Sequence, residues 1–153
     1  MIDMDLKTGH YNQLTEQDDF WFTSSIKRIG SEDLYNNSNS IGYYIEGNEH
    51  IAACLKLKLH VNNLSTVEET EKKFCAYCIH LIKKSLSNEM AEQIETKIHS
   101  LESFKETKGQ DNVALHEPSI LRMNGITEGY SRVLEISRKR DQKITNGNML
   151  KGF

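Results

Sequence analysis

Residues 41–61, IGYYIEGNEHIAACLKLKLHV, decide the fold. Ala53, Leu55, Leu57, Leu59 and Val61 alternate with Cys54, Lys56, Lys58 and His60. Side chains on a strand switch faces at each residue. One face is therefore aliphatic, and the other carries two lysines, a histidine and a cysteine. Such a strand belongs in an antiparallel sheet with one face on a core and the other toward solvent. The run Ile41–Glu46 is also β-prone, and Gly47-Asn48 predicts a two-residue turn between the two strands.

Downstream, Ser65 and Thr66 each precede a glutamate by three residues, Glu68 and Glu69, which is capping-box spacing. A helix is expected from there to about Ser85. Its centre, Phe74 to Ile82, is apolar nearly all round and should pack on the sheet. A second helix should start near Ser87 or Asn88, with Met90, Ile94, Ile98 and Leu101 as its stripe and Gly109 as its stop. Further β segments follow at Val113 to His116, Ile120 to Met123 and Tyr130 to Ser137, with Gly125 to Gly129 as a turn or bulge. Upstream, Thr15 as a cap, Phe22, Ile26 and Ile29 at helical spacing, and Gly30 as a stop predict a helix over 15–30.

This order predicts an α+β domain. Its centre is one twisted antiparallel sheet of about four to five strands, with helices packed mainly on one face. The length of 153 residues suits one domain, assigned to 1–144, with 145–153 as a loosely held tail. No run of apolar residues is long enough to span a membrane as a helix. The N-terminal residues lack the regions of a signal peptide, so a cytoplasmic location is the default. A periplasmic or secreted mature chain would read the same.

The net charge of −3 conceals an asymmetry. Residues 1–71 hold 12 acidic and 5 basic side chains, whereas 72–153 hold 10 acidic and 14 basic. Two differently charged solvated faces account for this, as does an acidic half that steers a basic protein partner. No strong overall positive charge exists to displace counterions from phosphates, so no nucleic-acid partner is expected.

Motifs for chemistry are sparse. Cys75 and Cys78 have C-x-x-C spacing, but they fall well inside the predicted helix and away from its N-terminus, where the dipole would activate a thiol. No second cysteine pair or H-x₃-H completes a zinc site. Buried free thiols are the simplest reading. A disulfide from Cys54 to either is disfavoured, because Cys54 lies on the polar strand face. Glu95 and His99 at i,i+4 read as a surface pair. The adjacent carboxylates Asp18-Asp19, Glu32-Asp33 and Glu68-Glu69 fit capping and dipole roles better than acid–base chemistry. No phosphate-binding loop, nucleophile elbow or cofactor motif is present, so no catalytic residue, metal ligand or cofactor is assigned.

What remains is surface recognition. Aromatic residues set among carboxylates are suitable interface anchors. The candidate partner-binding residues are Asp18, Asp19, Trp21, Tyr43, Glu46 and Glu49. The reading that follows is a non-enzymatic protein-binding domain, in its most concrete form a small bacterial inhibitor or immunity protein that neutralises a toxin by covering it. The alternative is a small enzyme or ligand-binding domain whose site assembles only in three dimensions, for instance from His60, Lys56 or Lys58 and a carboxylate.

Overall fold

The computed structural model describes residues 12–13, 21–29, 39–48, 52–123 and 126–138. In chain order the strands are β1 (Asn12–Gln13), β2 (Trp21–Ile29), β3 (Asn39–Gly47) and β4 (Ala52–Val61). A 3-10 turn (Leu64–Thr66) leads into helices α1 (Val67–Ser85) and α2 (Asn88–His99). Strands β5 (Phe104–Lys108), β6 (Asp111–Leu115), β7 (Ser119–Met123) and β8 (Ile126–Arg138) complete the fold. The strands form one antiparallel sheet in the order β1-β2-β3-β4-β8-β6-β5, with β7 also paired to β8. The α+β class and the helix-covered antiparallel sheet match the sequence reading. The eight strands among the described residues exceed the four to five expected.

The alternation in β4 sets the core. Leu55, Leu57, Leu59 and Val61 are buried. They share the inner face with Ile41 of β3, Leu134 and Ile136 of β8, and Val113 and Leu115 of β6. Helix α1 covers this face with Phe74, Cys78, Leu81 and Ile82, and α2 adds Met90, Ala91, Ile94 and Ile98. Burying aliphatic side chains on this scale is the main force for folding, at roughly 25 cal/mol per Å² of apolar surface.

Three element predictions are corrected. The helix over 15–30 is wrong in its described part, because residues 21–29 form β2. Phe22, Ile26 and Ile29 match helical spacing, yet the stretch Trp21-Phe22-Thr23-Ser24-Ser25 is made of residues that suit strands or disfavour helix interiors. Pairing with β3 along all nine residues prevails. Helix α2 stops at His99 and does not reach Gly109. Leu101 takes a left-handed φ of 54°, and Glu102 N–H bonds to Lys97 O while Leu101 N–H bonds to Ile98 O. These are the two hydrogen bonds of a Schellman cap, with leucine in the usual glycine position. Gly109, at φ 63°, instead sits in the turn joining β5 to β6. Finally, Gly47 still pairs with Ala52 after a register shift, so the connection from β3 to β4 is longer than Gly47-Asn48.

Two buried polar residues tie the layers together. Arg132 of β8 is 6% exposed. Its guanidinium donates to Leu101 O at 2.6 Å, His116 O at 3.1 Å and Ser103 Oγ at 3.2 Å. It thereby fixes the turn after α2 to the sheet. Asn39 is fully buried at the start of β3. Its Oδ1 accepts from the backbone N–H groups of Asn62 and Asn63, and its Nδ2 reaches Thr66 and Thr70. Thr66 therefore offers its hydroxyl to Asn39 and makes no side-chain cap bond to α1, unlike the capping box expected.

Candidate functional site

With the helices on one face, the opposite face of the sheet, the open face, carries no helix among the described residues. Alternation and register arrange its side chains in rows across the strands. One row runs Arg28, Ser40, His60, Ser131 and Ser119. The next runs Ile26, Gly42, Lys58 and Val133, with His116 N–H bonded to Val133 O at its end. The third runs Ser24, Tyr44, Lys56, Glu135, Ala114 and Lys105, and the fourth begins Phe22, Glu46, Cys54.

Tyr44 occupies the middle of this face. Its ring tip lies over Gly42, where an added Cβ would meet ring carbon Cε2 at 2.7 Å. The missing side chain at Gly42 is therefore what lets the ring lie along the sheet. Phe22 stands beside it, ring centroids 6.1 Å apart. Ile26 is 61% exposed next to them. A shallow depression of about 430 Å³ is lined by Tyr44, Glu46, Lys56, Lys58, His116, Val133 and Glu135. A smaller one of about 190 Å³ adjoins it, between Ile26, Tyr44, Lys58 and His60.

The charges on this face are unevenly committed. Lys56 pairs with Glu46 at 2.9 Å and lies 3.8 Å from Glu135. Partial burial works to lower its pKa, but the hydrogen bond and charge of Glu46 outweigh it and hold the ammonium above its ordinary value. His116 approaches Glu135 at 3.9 Å. Cys54 lies in the same neighbourhood. Desolvation, reinforced by Glu135, pushes its thiol up to about 12. It is a poor nucleophile there, since the thiolate is the reactive form.

No protein-family model, curated protein or solved structure matches the chain. The functional reading therefore rests on this chain's own residues.

Among the sequence-derived candidates, Asp18, Asp19 and Glu49 lie outside the described residues, as does the tail 145–153. The backbone of Trp21 opens β2, opposite Gly47. Glu46 is on the open face, engaged by Lys56. Tyr43 is on the helix-covered face, packed against the core, where burial raises its pKa. Tyr44 is the exposed-face aromatic that sequence reasoning passed over. Tyr43 is in phase with Ile41 and Ile45, and that phase was the available signal.

The remaining motifs are accounted for by structure. Cys75 and Cys78 are buried in α1, and Cys75 Sγ donates to Ile98 O. Burial pushes Cys75 up to about 11 and holds Cys78 well above its ordinary value. Cys54 is free on the far side of the sheet. Alkylation of the native protein near pH ~8 should leave Cys75 and Cys78 unmodified, with Cys54 at least about tenfold slower than a model thiol. All three should label in denaturant. Mass spectrometry reads the result, and rapid native labelling of Cys75 or Cys78 contradicts the placement.

Glu95 and His99 form the exposed pair anticipated, at 3.7 Å. Glu68 and Glu69 lie in the first turn of α1, and Glu69 pairs with Lys73. Tyr130 Oη donates to Glu71, linking β8 to α1. Among the described residues, no group of three potential ligands is placed to hold a metal ion, and no helix is long and apolar enough to cross a membrane.

Proposed function

We propose that this protein is a non-enzymatic binding domain that receives a protein partner on the open face of its sheet. One observation carries the reading. The face opposite the helices presents Phe22, Ile26, Tyr44 and Val133 among charged side chains, with Ile26 61% exposed. Aromatic and aliphatic anchors inside a polar rim are the usual anatomy of a protein interface. The smaller depression, about 190 Å³, is of side-chain size and open to solvent, which suits insertion of a partner's side chain. In its most concrete form the protein is a small bacterial inhibitor or immunity protein, which works by occlusion and needs no catalytic groups of its own.

Co-expression with the product of the neighbouring gene, followed by size-exclusion chromatography and calorimetry, tests this. A stable complex is expected. The double substitution Ile26→Asp, Tyr44→Asp should weaken it by about 100-fold, the loss typical of two central anchors. Circular dichroism should stay native, because both residues are outside the core. A complex that is unaffected by these changes, or is broken instead by Glu92→Lys on the exposed face of α2, contradicts the proposal.

The larger depression supports a second reading, a ligand-binding domain, because Lys56, Lys58, His116 and two carboxylates converge there. A small anion that raises the Tm of the wild type but not of Lys56→Ala would favour it.

A further inference from the structure

Among the described residues, charge counted by sheet face differs from charge counted by sequence half. The first half of the chain is acidic. Yet its described carboxylates lie in α1, as Glu68, Glu69 and Glu71, or pair with Lys56, as Glu46 does. On the open face, Glu46 and Glu135 both flank Lys56 in the lower rows. The upper rows hold Arg28, Lys58 and His60, with Ser40, Ser119 and Ser131 and no carboxylate among the described residues. Arg28 and Lys58 are exposed, and neither has a carboxylate partner among the described residues.

We infer that the partner is acidic: a carboxylate-rich protein segment lies across Arg28, Lys58 and His60 and seats a side chain in the depression beside Ile26 and Tyr44. This rests on the protein-binding reading above and names its chemistry. Adjacent strands are about 4.8 Å apart and alternate residues of one strand about 6.8 Å apart. Two cations and an imidazole therefore surround a patch about 10 Å across, which matches a few carboxylates on a strand or helix face. The 190 Å³ depression places Ile26 and Tyr44 on one side and Lys58 and His60 on the other. A glutamate with an apolar neighbour satisfies both. A polyphosphate is the poorer match, because it offers nothing apolar to set against Ile26 and Tyr44.

The test is an NMR titration of the full chain at low salt with three probes: a peptide of glutamates interspersed with leucines, its lysine counterpart, and an oligo-deoxythymidine. The acidic peptide should shift the amides of Arg28, Ser40, Lys58 and His60, and added salt should weaken it. The charge reversal Arg28→Glu, Lys58→Glu should reduce its affinity at least about tenfold, and the neutral pair Arg28→Gln, Lys58→Gln by less. Both pairs are outside the core, and their native spectra report retained folding. Failure of the acidic peptide to bind, preference for the lysine peptide or the oligonucleotide, or indifference to charge reversal overturns the inference. A partner protein lost with Ile26→Asp, Tyr44→Asp but kept by Arg28→Glu, Lys58→Glu overturns it too, while the protein-binding reading stands.

Discussion

Gly129→Ala is expected to destabilise the fold by about 3 kcal/mol or more, the range for an insertion that backbone must accommodate. Gly129 is in β8, opposite Leu121 of β7 and next to Tyr130, which pairs with Val61 of β4. A Cβ at this position would lie 2.0 Å from the carbonyl oxygen of Val61 and 3.4 Å from Cα of Asn62. The obstructing atoms are main chain, so no rotamer change relieves the clash. Either β8 leaves β4 at this end or the turn toward α1 shifts. Gly109→Ala provides the contrast. Its φ of 63° disfavours a side chain, but nothing lies within 4 Å, so the cost should be about 1 kcal/mol. Urea denaturation of both variants checks the pair. A Gly129→Ala protein within about 1 kcal/mol of wild type contradicts this packing.

Asn39→Leu should cost about 3 kcal/mol, although leucine has the same branching at Cγ as asparagine. The reason is the asymmetry of buried hydrogen bonds: removing one partner leaves the others desolvated and unpaired. Asn39 Oδ1 accepts from Asn62 N–H and Asn63 N–H, each at 2.8 Å. Its Nδ2 reaches Asn63 O at 3.1 Å, Thr66 Oγ1 at 3.0 Å and Thr70 Oγ1 at 2.9 Å. Leucine abandons all of these. Thr70→Val removes one of the acceptors, together with the bond the Thr70 hydroxyl donates to Thr66 O, and should cost about 1 kcal/mol. Asn39 also fixes where β3 begins, and hence where Ser40, Gly42 and Tyr44 emerge on the open face. A local loosening of that face in Asn39→Leu should appear as faster amide exchange in the first residues of β3.

The sheet was legible where alternation was strict. Strand β4 could be read to its faces, because every inward position from Leu55 to Val61 is aliphatic. Helix α1 and the start of α2 were legible for a similar reason. Ser87 caps α2 through Met90 N–H, as its position suggested. Strand β2 was not, because it lies near the sheet edge. Its inward positions include Thr23, and its outward ones include Ile26, so apolar residues do not mark a face. The end of α2 was hidden because a leucine, not a glycine, takes the left-handed position, held by an arginine from a strand thirty-one positions later.

The open face was half legible. The polar side of β4 was visible, but its neighbours depend on register, which sequence spacing does not supply. Choosing Tyr43 over Tyr44 followed from that gap.

The most direct test of the central claim is site-specific photocrosslinking of the partner complex. A benzophenone side chain at Ile26 should crosslink the partner efficiently, and one at Glu92, on the exposed side of α2, should not. Crosslinking from Glu92 with none from Ile26 would place the interface on the helices and contradict the account.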